Sequence, residues 1–373
     1  MDTDCRYYIG IMSGTSMDGI DISIMDFNSS SMPAVIATGE YDWPEGLEAR
    51  LHPLCHSGAD EVERIGEIAN ELAAAYAYAV NDLLKKNGID KSKIIAIGNH
   101  GQTIRHRPEK HFSVQIGNNA LLAALTGIDT VGDFRAMDLA CGGQGAPLVP
   151  AFHNSVFRKD SILRFIVNIG GISNISVLDG SGNPIIGFDT GPGNTLIDHN
   201  CRHFWNENYD HDGKHAQAGS VDSLLLKKML SHPYFSMSYP KSTGRETFTY
   251  EWVESLTEGS NISGEDLQRT LTHLTAVSIA DQINKIAGDR NFETYICGGG
   301  LKNKLLMSEL RKLLPGSSVF DSTAVLGVDP DFVESIAFAW LAKQFTERKP
   351  GNIPSATGAT TPAVLGCLYP KPY

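Results

Sequence analysis

The sequence has few of the features that mark secreted, zinc-stapled or membrane proteins. Its six cysteines include no C-x-x-C pair, which disfavours a disulfide framework or a zinc knuckle and favours a reducing cytoplasm. No stretch approaches about 20 uninterrupted apolar residues, so neither a membrane span nor a signal peptide is expected. With 31 basic and 43 acidic residues the net charge is −12, which disfavours nucleic acid and anionic membranes as partners.

The length and composition indicate a globular chain of two domains. The chain has 373 residues, of which 42% are hydrophobic and 20% charged, and domains average roughly 150 residues. A strand, a glycine-rich turn and a second strand follow one another near residue 10 and again near residue 170, which predicts two lobes of similar plan. We place the first lobe at 1–130 and the second at 131–349, with the tail 350–373 returning to the first.

Three helices are predicted from apolar spacing. The strongest covers 61–86, which lacks proline and ends at Asn87-Gly88, a good helix stop. The others cover 301–314 and 332–345.

The first glycine-rich turn, 13–19, reads Ser-Gly-Thr-Ser-Met-Asp-Gly. Glycines let backbone N–H groups approach a phosphate, and the hydroxyls add donors. The turn lacks the Gly-Lys-Ser/Thr ending of a P-loop, so that mechanism does not apply. A plain β-turn is the alternative interpretation.

Asp189 lies between glycines in Gly-Phe-Asp-Thr-Gly-Pro-Gly-Asn. This context gives a small ligand access to a carboxylate, which suits a general base or a water-mediated Mg²⁺ ligand. An Asx-turn or helix cap is the alternative. Gly170-Gly171 and Gly298-Gly299-Gly300 also follow predicted strands, and the second precedes a predicted helix, where negative charge is favoured.

Several other polar residues are candidates for sugar recognition. Arg135 stands between Asp133 and Asp138, where it forms either a structural ion pair or a clamp for a substrate carboxylate. His100 and Gln102 follow a predicted strand and can hydrogen-bond sugar hydroxyls; a buried structural histidine fits the pattern equally well. The histidines at 203, 211 and 215 are loosely spaced and no strong carboxylate pattern accompanies them, so the sequence assigns no metal ligand.

Taken together, these motifs resemble the anhydro-N-acetylmuramic acid kinase family over essentially the whole chain. The ordered set that carries the resemblance covers 9–21, 99–103, 132–135, 142–150, 168–174, 188–194, 242–246, 297–300, 334–342, 356–359 and 364–366.

The resemblance implies a two-lobed actin-like ATPase fold of the α/β class. Each lobe would hold a mixed five-stranded sheet with flanking helices, and ATP would bind between the lobes. The implied reaction opens the 1,6-anhydro ring of 1,6-anhydro-N-acetylmuramic acid and phosphorylates O6, giving N-acetylmuramic acid 6-phosphate and ADP, in peptidoglycan recycling. Mg²⁺ is implied by ATP, without a clear protein ligand. The strand before the first turn lacks the acid that many members of the superfamily carry there.

The resemblance also assigns roles to residues. Asp189 would be the catalytic base, and His100, Gln102, Arg135 and Glu334 would face the sugar. The nucleotide would be held by Gly14, Thr15, Ser16, Met17, Asp18, Gly19, Ile20, Asp21, Gly170, Gly171, Gly298, Gly299 and Gly300.

Two rival functions stay open at this stage. An ordinary amino-sugar kinase would use Asp189 on a sugar hydroxyl without breaking the ring. A non-enzymatic nucleotide switch of the Hsp70 or actin type would carry a peptide-binding module or polymer contacts, and no added C-terminal domain is evident. Assembly is undecided, with a homodimer as one option.

Overall fold

The computed structural model of the chain describes residues 6–14, 19–28, 33–244 and 247–373. The chain folds into two compact units. Unit 1 comprises residues 1–156 and 332–373, and unit 2 comprises residues 157–331. The boundary therefore differs from the one expected near residue 130: segments 131–156 and 332–349 belong with unit 1.

Unit 1 is built on a mixed sheet in the strand order β13-β7-β4-β1-β2-β3. β2 runs antiparallel to β1 and β3, whereas β1, β4 and β7 are parallel. The strands are β1 Tyr7–Met12, β2 Ile20–Asp26, β3 Ala34–Tyr41, β4 Ile94–Asn99, β7 Thr130–Gly132 and β13 Cys367–Tyr369, beside a hairpin of β5 Gln102–Arg107 and β6 Phe112–Ile116. The helices are α1 Leu47–Leu51, α2 Glu61–Lys86, α3 Asn119–Thr126, α4 Ala136–Ala140, α5 Val149–Phe157, α13 Val333–Thr346 and α14 Pro354–Thr357.

Unit 2 repeats this plan in the strand order β10-β9-β8-β11-β12. β9 is antiparallel to both neighbours, and β8, β11 and β12 are parallel. The strands are β8 Leu163–Ile169, β9 Ile172–Asp179, β10 Ile186–Pro192, β11 Phe292–Cys297 and β12 Ser317–Ser322. The helices are α6 Thr195–Trp205, α7 Lys214–Ala218, α8 Ser223–Leu230, α9 Pro233–Ser236, α10 Tyr250–Thr257, α11 Gly264–Ala287 and α12 Lys304–Leu313.

The two sheets share one topology, in which the first, second and third strands form a meander and the fourth and fifth extend the first in parallel. The repeat predicted from the glycine turns near residues 10 and 170 is therefore confirmed, since β1–β2 and β8–β9 are equivalent hairpins. The α/β class with a mixed sheet in each unit is also confirmed. The expected five strands match unit 2; in unit 1 the tail adds a sixth, because β13 pairs antiparallel with β7.

Helix α2 shows how local sequence determines an element. Glu61 and Glu63 stand in its first turn and Lys85 and Lys86 in its last, which complements the helix dipole. The chain leaves the helix at Asn87, and Gly88 adopts a positive φ of 62°. The apolar face packs into the core of unit 1, as predicted for 61–86.

Helix α13 covers the opposite face of the same sheet, and glycine in two strands permits its approach. A Cβ on Gly10 would lie 1.8 Å from the carbonyl oxygen of Ser335, and one on Gly98 would lie 2.1 Å from that of Phe338. These glycines are therefore required by helix packing. In unit 2 the core lies between β8–β11 and helices α11 and α12. In the described part of the chain, no helix combines the length and apolar character needed to cross a membrane.

Candidate active site

The carboxyl ends of β1 and β4 in unit 1 meet through polar contacts. Ser13 Oγ lies 2.8 Å from Tyr76 OH and donates to the carbonyl of Gly101 at 3.2 Å. Gln102 donates from Nε2 to the carbonyl of Gly14 at 3.1 Å. Its Oε1 is buried and has no hydrogen-bond partner among the described residues. The first glycine turn is thus tied to the β4–β5 turn, and an unused acceptor is left beside it.

Arg135 and His100 are in direct contact although 35 residues separate them. Arg135 donates from Nη2 to His100 Nε2 at 2.8 Å and from Nη1 to the carbonyl of Gly145 at 2.7 Å. Burial, with the Arg135 charge as the second cause, lowers the pKa of His100 to about 3, so the ring is neutral at physiological pH. Because Nε2 accepts, the ring proton is assigned to Nδ1. The backbone of Ser13 and of Gly101 interacts with the ring and opposes the lowering of its pKa.

Asp138 anchors the loop that receives Arg135. Its carboxylate, fully buried, accepts from the backbone N–H of Gly145 at 2.8 Å. It also accepts from Asn352 Nδ2 and Thr357 Oγ1, both at 2.7 Å. Asp138 is therefore a structural residue that joins the 142–147 loop to the C-terminal tail. Asp133, at the end of β7, has a positive φ of 56°, and burial raises the pKa of its carboxyl group.

Glu334 lies half-buried in the first turn of α13. It stands four residues before Phe338, on the same face of the helix. The Phe338 ring centroid is 4.7 Å from that of His100. All four predicted sugar-binding residues therefore belong to unit 1. His100 and Gln102 follow β4 and Arg135 follows β7, so these three lie at the carboxyl ends of parallel strands.

Asp189 is on β10 of unit 2, where a β-bulge follows it in the pairing with β9. Its Oδ2 accepts from the backbone N–H of Thr243 at 2.9 Å. Its backbone carbonyl accepts from Tyr234 OH at 2.7 Å, and its N–H donates to the carbonyl of Lys241 at 3.3 Å. The carboxylate is thus positioned by a segment about 50 residues further along the chain.

Sequence reasoning missed two of these neighbours, Tyr234 and Lys241. Lys241 is only 3% exposed, and its Nζ lies 4.5 Å from the Tyr234 ring centroid and donates to the Tyr234 carbonyl at 3.1 Å. Burial lowers the pKa of this lysine, and the nearby Asp189 charge opposes that shift. Burial, with Asp189 as a further cause, raises the pKa of Tyr234. No local pattern marks either residue, because each acts through tertiary contact.

The glycine turns of unit 2 meet at one edge of its sheet. The carbonyls of Gly170 and Gly171 accept from the backbone of residues 193–195, where α6 begins. A Cβ on Gly298 would lie 2.3 Å from Asn168 Oδ1, and one on Gly300 would lie 2.3 Å from Ile169 Cγ2. Packing against β8 therefore accounts for both of these glycines.

Gly170 and Gly299 differ from these glycines, because a Cβ on either would meet no atom closer than 3.7 Å or 4.0 Å, respectively. They leave bare backbone where a flat ring or a phosphate can approach, so the turns fit a nucleotide.

The first glycine turn is described only in part. Thr15, Ser16, Met17 and Asp18 lie outside the described residues. Gly14 and Gly19 flank them, and Asp21 opposes Met12 in the β1–β2 pairing. The Ile20 side chain is 1% exposed and belongs to the hydrophobic core of unit 1, so only its backbone is available to a ligand.

Two units of one topology, each a three-strand meander extended by two parallel strands, have the architecture of the actin-like fold. The profile of the anhydro-N-acetylmuramic acid kinase family matches residues 6–371. Proteins named anhydro-N-acetylmuramic acid kinase from Shewanella pealeana and Shewanella amazonensis are 48% and 50% identical to the chain. The alignments cover 98% and 97% of this chain and 99% and 98% of those proteins. Among solved structures, an activator of 2-hydroxyisocaproyl-CoA dehydratase from Clostridium difficile is 13% identical to the chain, with a TM-score of 0.44. The alignment covers 92% of this chain and 98% of that protein.

The chain therefore belongs to the anhydro-N-acetylmuramic acid kinase family. It is an enzyme, a kinase of peptidoglycan recycling that uses ATP and a small sugar. This assignment sets aside the non-enzymatic nucleotide switch.

Proposed function

We propose that the chain converts 1,6-anhydro-N-acetylmuramic acid, ATP and water into N-acetylmuramic acid 6-phosphate and ADP, with Asp189 as the general base. The observation that carries this assignment is the fixed Asp189 carboxylate at the glycine-lined edge of unit 2. Its Oδ2 is held by the Thr243 N–H at 2.9 Å. A base must be oriented before it can take a proton efficiently, and this hydrogen bond supplies that orientation.

The chemistry balances as one displacement coupled to one transfer. Asp189 accepts a proton from water while the water oxygen bonds to the anomeric carbon. The bond from that carbon to the bridging O6 breaks, and O6 takes the γ-phosphoryl group as ADP leaves. O6 is a poor leaving group unless it is phosphorylated as it departs, so positioning water, sugar and ATP together is the main task of the protein.

The sugar contacts follow from the groups left unused in unit 1. The His100 Nδ1–H is a donor, and Gln102 Oε1 is an acceptor that is buried without a partner in the described structure. A sugar hydroxyl or amide can satisfy either one. Arg135 supplies positive charge beside His100, which suits the lactyl carboxylate of a muramic acid. Glu334 completes this proposed set.

The nucleotide contacts are assigned to the glycine turns, namely residues 14–21, Gly170-Gly171 and Gly298-Gly299-Gly300. Gly170 and Gly299 offer backbone without steric obstruction. Mg²⁺ would enter on the ATP phosphates, where it neutralises charge and keeps most of its water, so it needs no dedicated protein cage. The single carboxylate and bare backbone described at this edge are compatible with such a metal.

The reaction is tested by incubating the protein with Mg-ATP and a panel of anhydro and ordinary amino sugars. Only anhydro-muramic acid should give rapid ADP release and a 6-phosphate product. Similar rates on N-acetylmuramic acid would favour the ordinary amino-sugar kinase instead.

An oxygen-labelling run tests the coupling of ring opening to transfer. In H₂¹⁸O the label should enter at the anomeric carbon, and the phosphate ester oxygen should stay ¹⁶O because it derives from the bridge. Anomeric oxygen exchanges with water, so the run is quenched early and compared with unlabelled product. Accumulation of free N-acetylmuramic acid without ATP would defeat the coupled mechanism.

We also propose a cytoplasmic location, where ATP is available, and no nucleic-acid or membrane partner, in keeping with the net charge of −12. A homodimer is the assembly to test, by light scattering coupled to gel filtration.

A further inference from the structure

We propose that Cys201, Glu207 and His215 of unit 2 form a binding site for a zinc-class divalent metal. Their donor atoms, one sulfur, one carboxylate oxygen and one imidazole nitrogen, all lie within 4.8 Å of one another. The site is separate in sequence from the glycine turns and from Asp189, and it does not depend on the proposed reaction.

The three donors come from the second half of α6, the loop that follows it and the first turn of α7. Cys201 lies in the second half of α6, and Glu207 and His215 follow the end of the helix at Trp205. The Cys201 thiol forms no disulfide and is fully buried, whereas the Glu207 side chain is 51% exposed. A metal would therefore enter from the Glu207 side and meet the sulfur at the inner end.

The histidine is held in place by contacts that do not use its donor atom. Its ring stacks on Trp205 with centroids 4.0 Å apart and planes 11° from parallel. Its backbone N–H and that of Ala216 donate to the Asp210 carboxylate at 2.8 and 3.0 Å. As a result Nε2 lies 3.2 Å from Glu207 Oε2, a separation that two ligands of one tetrahedral metal can share.

The donor set selects the metal. One thiolate, one imidazole and one carboxylate, with water at a fourth position, is typical of Zn²⁺ and Co²⁺, whereas Mg²⁺ and Ca²⁺ require oxygen ligands. Binding replaces the thiol proton with the metal, and the proton passes to solvent.

Such a metal would join the C-terminal half of α6 to the first turn of α7. Both helices pack on α11, the long central helix of unit 2. The expected effect is stabilisation, because a ligand that binds the folded state alone shifts the unfolding equilibrium.

Titration of ZnCl₂ into metal-free protein by calorimetry tests the site. We expect saturable binding of one equivalent, and at least a 10-fold weaker affinity in Cys201→Ser and in His215→Gln. His211→Gln is the matched control, since this neighbouring exposed histidine is outside the cluster, and Cys367→Ser controls for exposed thiols. Both controls should bind as the unaltered protein does.

CoCl₂ supplies a second readout, in which a thiolate-to-cobalt charge-transfer band should appear and should be absent in Cys201→Ser. Lack of saturable binding in the unaltered protein would overturn the proposal, as would equal affinity in the two ligand variants. If Cys201→Ser does not fold by circular dichroism, His215→Gln decides, because its side chain is partly exposed.

Discussion

The two units share a strand order but present different chemistry at the carboxyl edges of their sheets. In unit 1 the edge carries buried polar side chains, with His100 held by Arg135 and the Arg135 loop held by Asp138. In unit 2 the edge is formed by glycine turns, and β10 carries a fixed carboxylate, Asp189, three residues before its end. We therefore propose that one topology supports recognition by side chains in unit 1 and by bare backbone in unit 2.

The difference follows from what each edge leaves unsatisfied. Unit 1 retains a buried acceptor on Gln102, which suits a ligand rich in hydroxyl and amide groups. Unit 2 retains open space over Gly170 and Gly299, which suits a large group approached by backbone N–H. The common sheet topology gives each unit such an edge, and the residues at the strand ends determine what that edge can bind.

The largest expected effect tests whether unit 2 holds the base. Asp189→Asn should keep the Thr243 contact and the fold but lose proton acceptance, which lowers kcat by about 10²–10⁴-fold. Asp160→Asn, at an exposed turn of the same unit, is the matched control and should be unchanged. Near-normal kcat in a folded Asp189→Asn protein would show that Asp189 is not the base, and unit 2 would then lose its proposed catalytic role.

The next effect tests the glycines that packing requires in each unit. Gly10→Ala would place a Cβ 1.8 Å from the Ser335 carbonyl, and Gly193→Ala would place one 2.2 Å from that of Gly170. Each should lower the free energy of unfolding by about 3 kcal/mol, the upper part of the usual range for overpacking. Denaturant titration measures the loss.

The control for those two variants is Gly170→Ala, whose Cβ would meet nothing closer than 3.7 Å. It should fold normally while raising KM for ATP more than KM for the sugar. An unchanged KM for ATP would show that this turn has only a structural role, and would weaken the proposal that the unit 2 edge binds the nucleotide.

A third prediction concerns acid stability, which should depend on buried histidines of unit 1. Burial lowers the pKa of His100 and of His153 to about 3, with Arg135 as a second cause at His100. As pH falls below about 6.5, these two histidines therefore become protonated in the unfolded chain but stay neutral in the folded protein. Stability present above that pH is lost on acidification, by about 2 kcal/mol for each histidine at pH 5.

Unfolding free energies at pH 7 and pH 5 measure this loss. The variant His153→Gln should show a smaller drop between the two pH values than the unaltered protein, whatever its stability at pH 7. Equal drops would show that the buried histidine does not resist protonation.

The smallest expected effect is a gain in the free energy of unfolding. Gly66 is exposed in the second turn of α2 with open space where a Cβ would lie. Gly66→Ala should stabilise unit 1 by about 0.5–1 kcal/mol, because alanine restricts the unfolded chain and favours the helix. A loss of stability would indicate a contact that the structure does not contain.

Sequence patterns sufficed wherever the determinant is local. The span of α2 follows from apolar spacing and from the Asn87-Gly88 stop, and the duplicated hairpins follow from strand, glycine turn and strand. The ordered motifs also predicted the family, since together they span the whole chain. The roles of the individual site residues remain predictions that the variants above address.

Tertiary structure decided what depends on distant parts of the chain. Segments 131–156 and 332–349 joined unit 1, because β7 pairs with β4 and α13 packs on β1 and β4. Asp189 is held by residues about 50 positions away, and Asp138 by tail residues more than 200 positions away. Periodicity and spacing report only how a residue relates to its near neighbours, whereas these contacts arise from the order in which strands and helices pack.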